Sequence, residues 1–201
     1  MTPLCKLAEK YGTDKGHPHQ YTPVYFEELA SHALAVSNVL EIGICTTRNI
    51  KNGRTGASLY MWREFFPNAM INGVDIDPAS MVTDARIRSF LGNSTNKDAM
   101  AAIMRSVGTP QVIVDDGSHD PADQIKTARI LLPYLPKGGW YFIEDVYVDP
   151  LDIIAGVGTG DDLGGALSYN IYEGGKPLPE GYGRRSFGGP PAGEILITIR
   201  R

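Results

Sequence analysis

Four short apolar runs, each closing on acidic or glycine residues, constrain the fold of this chain more than any other feature. They are Val39-Leu40-Glu41-Ile42-Gly43, Met70 to Asp77, Gln111 to Asp116 and Trp140 to Asp145. A strand with one wet face would alternate apolar with polar residues. These runs lack strict alternation and suit strands covered on both faces, hence a parallel sheet. Helical patterns separate them. Leu59, Trp62, Phe65 and Phe66 recur at helical spacing until Pro67 closes the segment. Asp98 to Val107 predicts a second helix, and Asp123 to Leu135 a third, ended by Pro136-Lys137-Gly138-Gly139. Strand and helix alternate, which predicts an α/β fold: a doubly wound, mostly parallel sheet with helices on both faces. Such sheets bind ligands at the carboxyl ends of their strands, where the acids of these runs fall.

The rest of the chain flanks that core. Residues 1–37 read as an N-terminal helical cap segment, with a helix over Leu4–Lys10, a turn over Gly12–Gly16 and a helix around Tyr25–Leu34. Residues 38–201 read as the single globular domain, its tail rich in glycine and proline. Within it 157–193 reads as a long loop, and Glu194 to Ile199 as a final strand. With 201 residues, 42% hydrophobic, the chain is long enough for one real core. A net charge of −4 without any basic block argues against nucleic acid as a partner. Cys5 and Cys45 fit neither a disulfide framework nor a zinc pattern, and reduced core or near-core thiols are expected. No apolar stretch suits a signal peptide or a membrane span, so a cytoplasmic location without a membrane partner is expected.

Two constellations carry chemistry. The first strand ends Glu41-Ile42-Gly43, and glycine there lets backbone approach a ligand closely. The second ends Val74-Asp75, placing a carboxylate where it can accept both hydroxyls of a ribose. Asp77 competes for that role, and Asp75 is preferred because it directly follows the apolar stretch. Gly43 is followed by Ile44-Cys45-Thr46-Thr47, so the dinucleotide glycine fingerprint is missing, as is any Walker motif. A ribose-binding acid without a pyrophosphate cradle favours S-adenosylmethionine (SAM) over NAD.

In the second constellation, Asp115-Asp116-Gly117-Ser118-His119 ends the third strand and Glu144-Asp145 ends the fourth. Hard oxygen ligands on neighbouring strand ends suit Mg2+ or a similar cation. His119, in the turn above the sheet, is a natural general base for a hydroxyl bound to such a metal. Asp115 belongs to the cofactor side, its expected part being a cap or a bond to a neighbouring backbone amide rather than a metal ligand. Ser118 reads as a cap of the following turn.

These segments together resemble a known family. Tyr11-Gly12-Thr13-Asp14-Lys15-Gly16, His19-Gln20-Tyr21-Thr22-Pro23, Leu40 to Gly43, Gly56 to Trp62, Val74-Asp75-Ile76, Asp115 to His119 and Ile143-Glu144-Asp145 resemble the macrocin- and mycinamicin-type sugar O-methyltransferases. The resemblance spans about residues 4 to 148 and implies the class I SAM methyltransferase (Rossmann-like) fold. It implies SAM and Mg2+ as cofactors, metal ligation by the residues at Asp116, Glu144 and Asp145, and a base at His119. A glycosylated small-molecule acceptor and a homo-oligomeric assembly are implied with them. His17, His19 and Tyr21, in a polar turn, would cover the cofactor or touch the acceptor. Asn93-Ser94, after the apolar segment Ile87–Leu91, resembles the loop that contacts adenine in this class. The segment Ile44 to Arg54 and the region after Asp149 depart from the family. They motivate an alternative: a SAM-fold binding or accessory protein without methyl transfer.

Overall fold

A computed structural model describes residues 1–44, 54–158, 167–178 and 195–201. Cys45 and most of the divergent segment after Gly43 lie outside these, as does Glu194. Two helices open the chain: α1 (Pro3–Tyr11) and α2 (Tyr21–Leu29). Strands and helices then alternate: β1 (Asn38–Ile42), α3 (Ala57–Phe65), β2 (Met70–Asp75), β3 (Ile87–Leu91), α4 (Lys97–Val107), β4 (Val112–Asp115), α5 (Pro121–Leu131), β5 (Trp140–Ile143) and α6 (Pro150–Val157). A tail of β6 (Ser168–Glu173), β7 (Lys176–Pro177) and β8 (Ile195–Arg200) completes the described structure.

The eight strands form one sheet in the order β3-β2-β1-β4-β5-β8-β6-β7. β1 to β5 are parallel, while β8 runs antiparallel to both β5 and β6. Strand order reverses between β1 and β4, and a doubly wound sheet opens its ligand crevice at such a reversal. Side chains alternate between two apolar layers, as the pleat demands. Val39, Val112, Val114, Trp140 and Phe142 face a cluster built with α1, α2 and α3. Leu40, Ile42, Ile113, Tyr141 and Ile143 face a second cluster built with α4, α5 and α6. Neither face is wet, which is why the runs did not alternate.

Helix ends follow local chemistry. Thr2 caps α1 by accepting from the amide of Cys5, and Gly12 closes it at φ 73°. Asp120 and Asp149 cap α5 and α6, each followed by proline at the first helical position. α2 starts at Tyr21, earlier than the sequence pattern indicates, because Pro23 falls in the first turn, where a missing N–H costs no helical bond. α5 stops at Leu131 and gives way to a 3-10 turn over Leu132–Tyr134, since Pro133 cannot continue the ladder.

The span 157–193, expected as one long loop, also holds regular structure. β6 lies within it and pairs along its length with β8. Its glycine-rich surroundings hid an alternating run in which Ser168 and Asn170 are exposed and Tyr169 and Ile171 partly buried, the pattern of a strand with one wet face. Among the described residues, no helix is long and apolar enough to cross a membrane. Cys5 is a free thiol, partly buried and bonded to Thr2 and Thr22.

Candidate active site

The carboxyl ends of β1, β2, β4 and β5 converge on two adjoining cavities. Gly43 sits at their junction with φ 83°, its N–H bonded to the carbonyl of Val74. A Cβ there would lie 1.9 Å from the carbonyl oxygen of Asp116, so only glycine lets the first and fourth strand ends approach this closely. One cavity is lined by Ile42, Gly43, Asp75, Ile76, Asn93 and Ser94. Asp75 Oδ2 accepts from the amide of Ile44 and Oδ1 from that of Asp77, each at 2.8 Å, which fixes the carboxylate at the rim. Asp77 instead caps the short turn after β2 through the amide of Ala79. Asn93 Oδ1 binds the Thr95 amide and hydroxyl, and Ser94 Oγ meets Thr127 Oγ1 at 2.9 Å. Ser118 Oγ accepts from the Asp120 amide at 3.3 Å, capping the turn as expected, and donates to Asp123, while Asp120 caps α5.

The other cavity shares Gly43, Asp75 and Gly117 with the first, and is lined by Asp14, His17, His19, Asp116, His119 and Asp145. Asp116, His119 and Asp145 each offer one ligand atom, all within 4.8 Å of one another. His119 Nε2 stands 3.9 Å from Asp116 Oδ1 and 3.8 Å from Asp145 Oδ2, and its Nδ1 has no hydrogen-bond partner. Two carboxylates and an imidazole converging on one point fit a small hard cation. Tyr21 donates to Asp145 Oδ1 at 2.8 Å and stacks on His19 at 5.5 Å between centroids. His19 Nδ1 lies 3.5 Å from that same oxygen. The histidine and tyrosine of the polar turn thus reach the cluster through Asp145.

Behind the cluster lies a buried charge network whose key member had no assigned role in the sequence. Lys15 is 1% exposed, with Nζ 2.6 Å from Asp116 Oδ2, 2.8 Å from Glu144 Oε2 and 3.2 Å from Glu41 Oε1. Tyr25 donates to Glu144 Oε1, so both oxygens of Glu144 are engaged. Glu41, fully buried under α3, accepts from Ser58 at 2.9 Å and lines neither cavity described here. One ammonium cannot offset two buried carboxylates and a third at the cavity wall. Desolvation raises Glu41 to about 7 despite the opposing pull of Lys15, and holds Glu144 well above the usual carboxylate range. Burial would lower Lys15, but the charges of Asp116, Glu144 and Glu41 outweigh it and raise the group well above its ordinary value. Asp115 points into the layer beneath α5, where it accepts from Tyr141 at 3.1 Å and from the Gly117 amide. Burial raises it to about 7.

The signal for Lys15 was its place in Gly12-Thr13-Asp14-Lys15-Gly16, a tight polar turn beside an apolar helix. A lysine there reads as solvated unless the strand ends are known to lie beneath it.

No family model matches the chain. Over 145 residues, 72% of the chain, it is 35% identical to the mycinamicin VI 2''-O-methyltransferase of Micromonospora griseorubida, covering 36% of that protein. It is 34% identical, again over 145 residues and 72% of its length, to a tetracenomycin-C rhamnosyl 3'-O-methyltransferase of Streptomyces olivaceus, covering 37% of that protein. The solved MycE methyltransferase of the mycinamycin pathway, in complex with Mg, S-adenosylhomocysteine (SAH) and mycinamycin VI, superposes with a TM-score of 0.65. That match, at 35% identity, covers 72% of this chain and 39% of the other. The fold is that of the class I SAM-dependent methyltransferases, and the curated homologues are sugar O-methyltransferases. The chain spans little more than a third of the length of the relatives it matches.

Proposed function

We propose that this chain is a SAM- and divalent-metal-dependent O-methyltransferase acting on a hydroxyl of a sugar or glycosylated natural product. The observation that carries the reading is the pair of cavities meeting at Gly43, Asp75 and Gly117. One is a largely apolar slot with a carboxylate at its rim, suited to an adenosine. The other is lined by acids and imidazoles, suited to a polyhydroxyl acceptor. The homologues' names and the Mg and SAH of MycE point the same way.

In this reading Asp75 accepts the ribose hydroxyls, and Gly43 lets the cofactor lie against backbone. Ile76, Asn93 and Ser94 border the base. Asp116 and Asp145 offer oxygens to the cation at the cavity wall. Glu144 stands behind them, joined to Asp116 through Lys15. When bound, SAM supplies an electrophilic methyl group and the cation an acidified hydroxyl. His119 takes the hydroxyl proton at Nε2, the nitrogen turned toward Asp116 and Asp145. Tyr21 holds Asp145, and His19 borders the acceptor.

The deciding experiment incubates the full chain with SAM, Mg2+ and a panel of rhamnosyl and other deoxysugar glycosides, following SAH release and methylated product by mass spectrometry. Metal-stimulated transfer to a sugar hydroxyl is expected. SAM binding by calorimetry without any product across the panel would favour a SAM-binding accessory protein instead. Full activity after chelator treatment would remove the metal.

A further inference from the structure

Lys15 meets three carboxylates presented by three adjacent strands of the sheet: Glu41 in β1, Asp116 after β4 and Glu144 after β5. Its ammonium donates to Asp116 Oδ2 and Glu144 Oε2 at 2.6 and 2.8 Å and stands 3.2 Å from Glu41 Oε1, in a place from which solvent is excluded. Glu41 Oε1, fully buried and aimed at the ammonium, has no hydrogen-bond partner, so the cluster keeps acceptor capacity that Lys15 does not satisfy. Hard oxygens converging on one point are also what a small divalent cation requires. Asp116 belongs to both centres. Its Oδ2 is held by Lys15, while Oδ1 faces His119 at 3.9 Å.

We propose that Lys15 is the resident cation behind the Asp116–Asp145 mouth: its ammonium fills, between Glu41, Asp116 and Glu144, a position a divalent ion would otherwise take. Lys15 is then a positioning residue. It fixes which oxygen of Asp116 is left for the mouth, and it ties the turn between α1 and α2 to the strand ends. The ion expected in wild type rests on the metal reading above, the proposal itself on the Lys15 contacts alone.

The test counts ions. The full chain is titrated with Mn2+, read by electron paramagnetic resonance and calorimetry, with thermal melting followed in parallel. Wild type is expected to take about one ion per chain. Lys15→Ala, which opens the ammonium position and leaves three carboxylates around it, is expected to take one more. It should also gain more melting temperature from Mn2+ than wild type does. Lys15→Met keeps an apolar stem in place and is expected to gain no ion.

A folded Lys15→Ala that binds no additional Mn2+ overturns the proposal, and so does an extra ion in Lys15→Met, which would place that ion elsewhere. Should Lys15→Ala fold only when Mn2+ is present, the ion is replacing the ammonium as proposed. If it does not fold even then, no cation from solution substitutes for Lys15, and the proposal falls. Failure of the metal reading is separate: it appears as no Mn2+ bound to wild type, whatever the variant does.

Discussion

His119 holds a left-handed backbone, φ 59°, and Asp145 across the cavity holds φ 52°. Such torsions cost about 1–3 kcal/mol in residues with a side chain and persist where the surroundings fix them. Here they aim an imidazole and a carboxylate at one point. If His119 is the base, His119→Ala should lower kcat by at least about a hundredfold while SAH and Mn2+ affinities stay within a few-fold. Loss of Mn2+ binding in that variant would make His119 a ligand instead. Gly43→Ala should fail differently. The new Cβ would lie 1.9 Å from the Asp116 carbonyl at a φ unfavourable to alanine. A destabilisation above about 2 kcal/mol and loss of SAH binding are expected, measured by urea unfolding and calorimetry. A stable variant with intact SAH binding would show that the strand ends can separate. Strand-end acids and glycine were legible in sequence because each sits beside its own apolar run. Lys15 and Tyr25 were not, since Lys15 meets Asp116 and Glu144, and Tyr25 meets Glu144, only through contacts between positions more than a hundred apart in the chain.

At the scale of elements, periodicity placed α1, α3, α4 and α5 and the strands β1, β2, β4 and β5 within a few residues, but it passed over the edge strand β3, legible only as a short apolar segment, and the short helix α6. It failed where the rule changes. β6 is half wet and pairs antiparallel, so the test for doubly covered strands passed over it. α2 likewise has more to do than its pattern suggests. Glu28 accepts from Tyr172 of β6 at 2.9 Å and from the Trp140 indole of β5 at 3.3 Å, while Arg200 of β8 stands 3.7 Å away. One carboxylate thereby ties the N-terminal helices to three strands of the C-terminal half of the sheet. Glu28→Ala leaves a partly buried phenol, an indole N–H and a guanidinium without their acceptor. It should cost roughly 1–3 kcal/mol and change Trp140 fluorescence before global unfolding. Unchanged stability would mean that apolar contacts alone dock α2. The same docking carries Tyr21 and Tyr25 to the metal-side acids, which makes α2 part of the site as well as of the core.

Across the whole molecule, the carboxylates buried at the centre of the sheet make stability depend on pH near neutrality. Glu41 is the separable case, because it lies one layer behind the cavity and its pKa rises from 4.5 to about 7 through desolvation, partly opposed by Lys15. Between those two values the unfolded chain has released the Glu41 proton and the folded chain retains it. Folding therefore takes up a proton in this window, and stability falls as pH rises through it. Below about 4.5 the neutral form holds in both states and the contribution is complete; above about 7 both are ionised and it is gone. At about 1.4 kcal/mol per unit, the decline attributable to this group is on the order of 3 kcal/mol. Glu41→Gln removes the titration while keeping the shape. The amide nitrogen can donate to Ser58 Oγ and the oxygen can accept from Lys15. Urea unfolding from about pH 5 to 8 should give a flatter stability profile for Glu41→Gln than for wild type, with the two curves separating in the variant's favour as pH rises. Asp115 titrates in both proteins and drops out of the difference, while Glu144 shares Lys15 with Glu41, so the difference reports the proton that the pair holds. Parallel curves would mean that Lys15 keeps Glu41 ionised throughout, with the buried proton residing on Glu144.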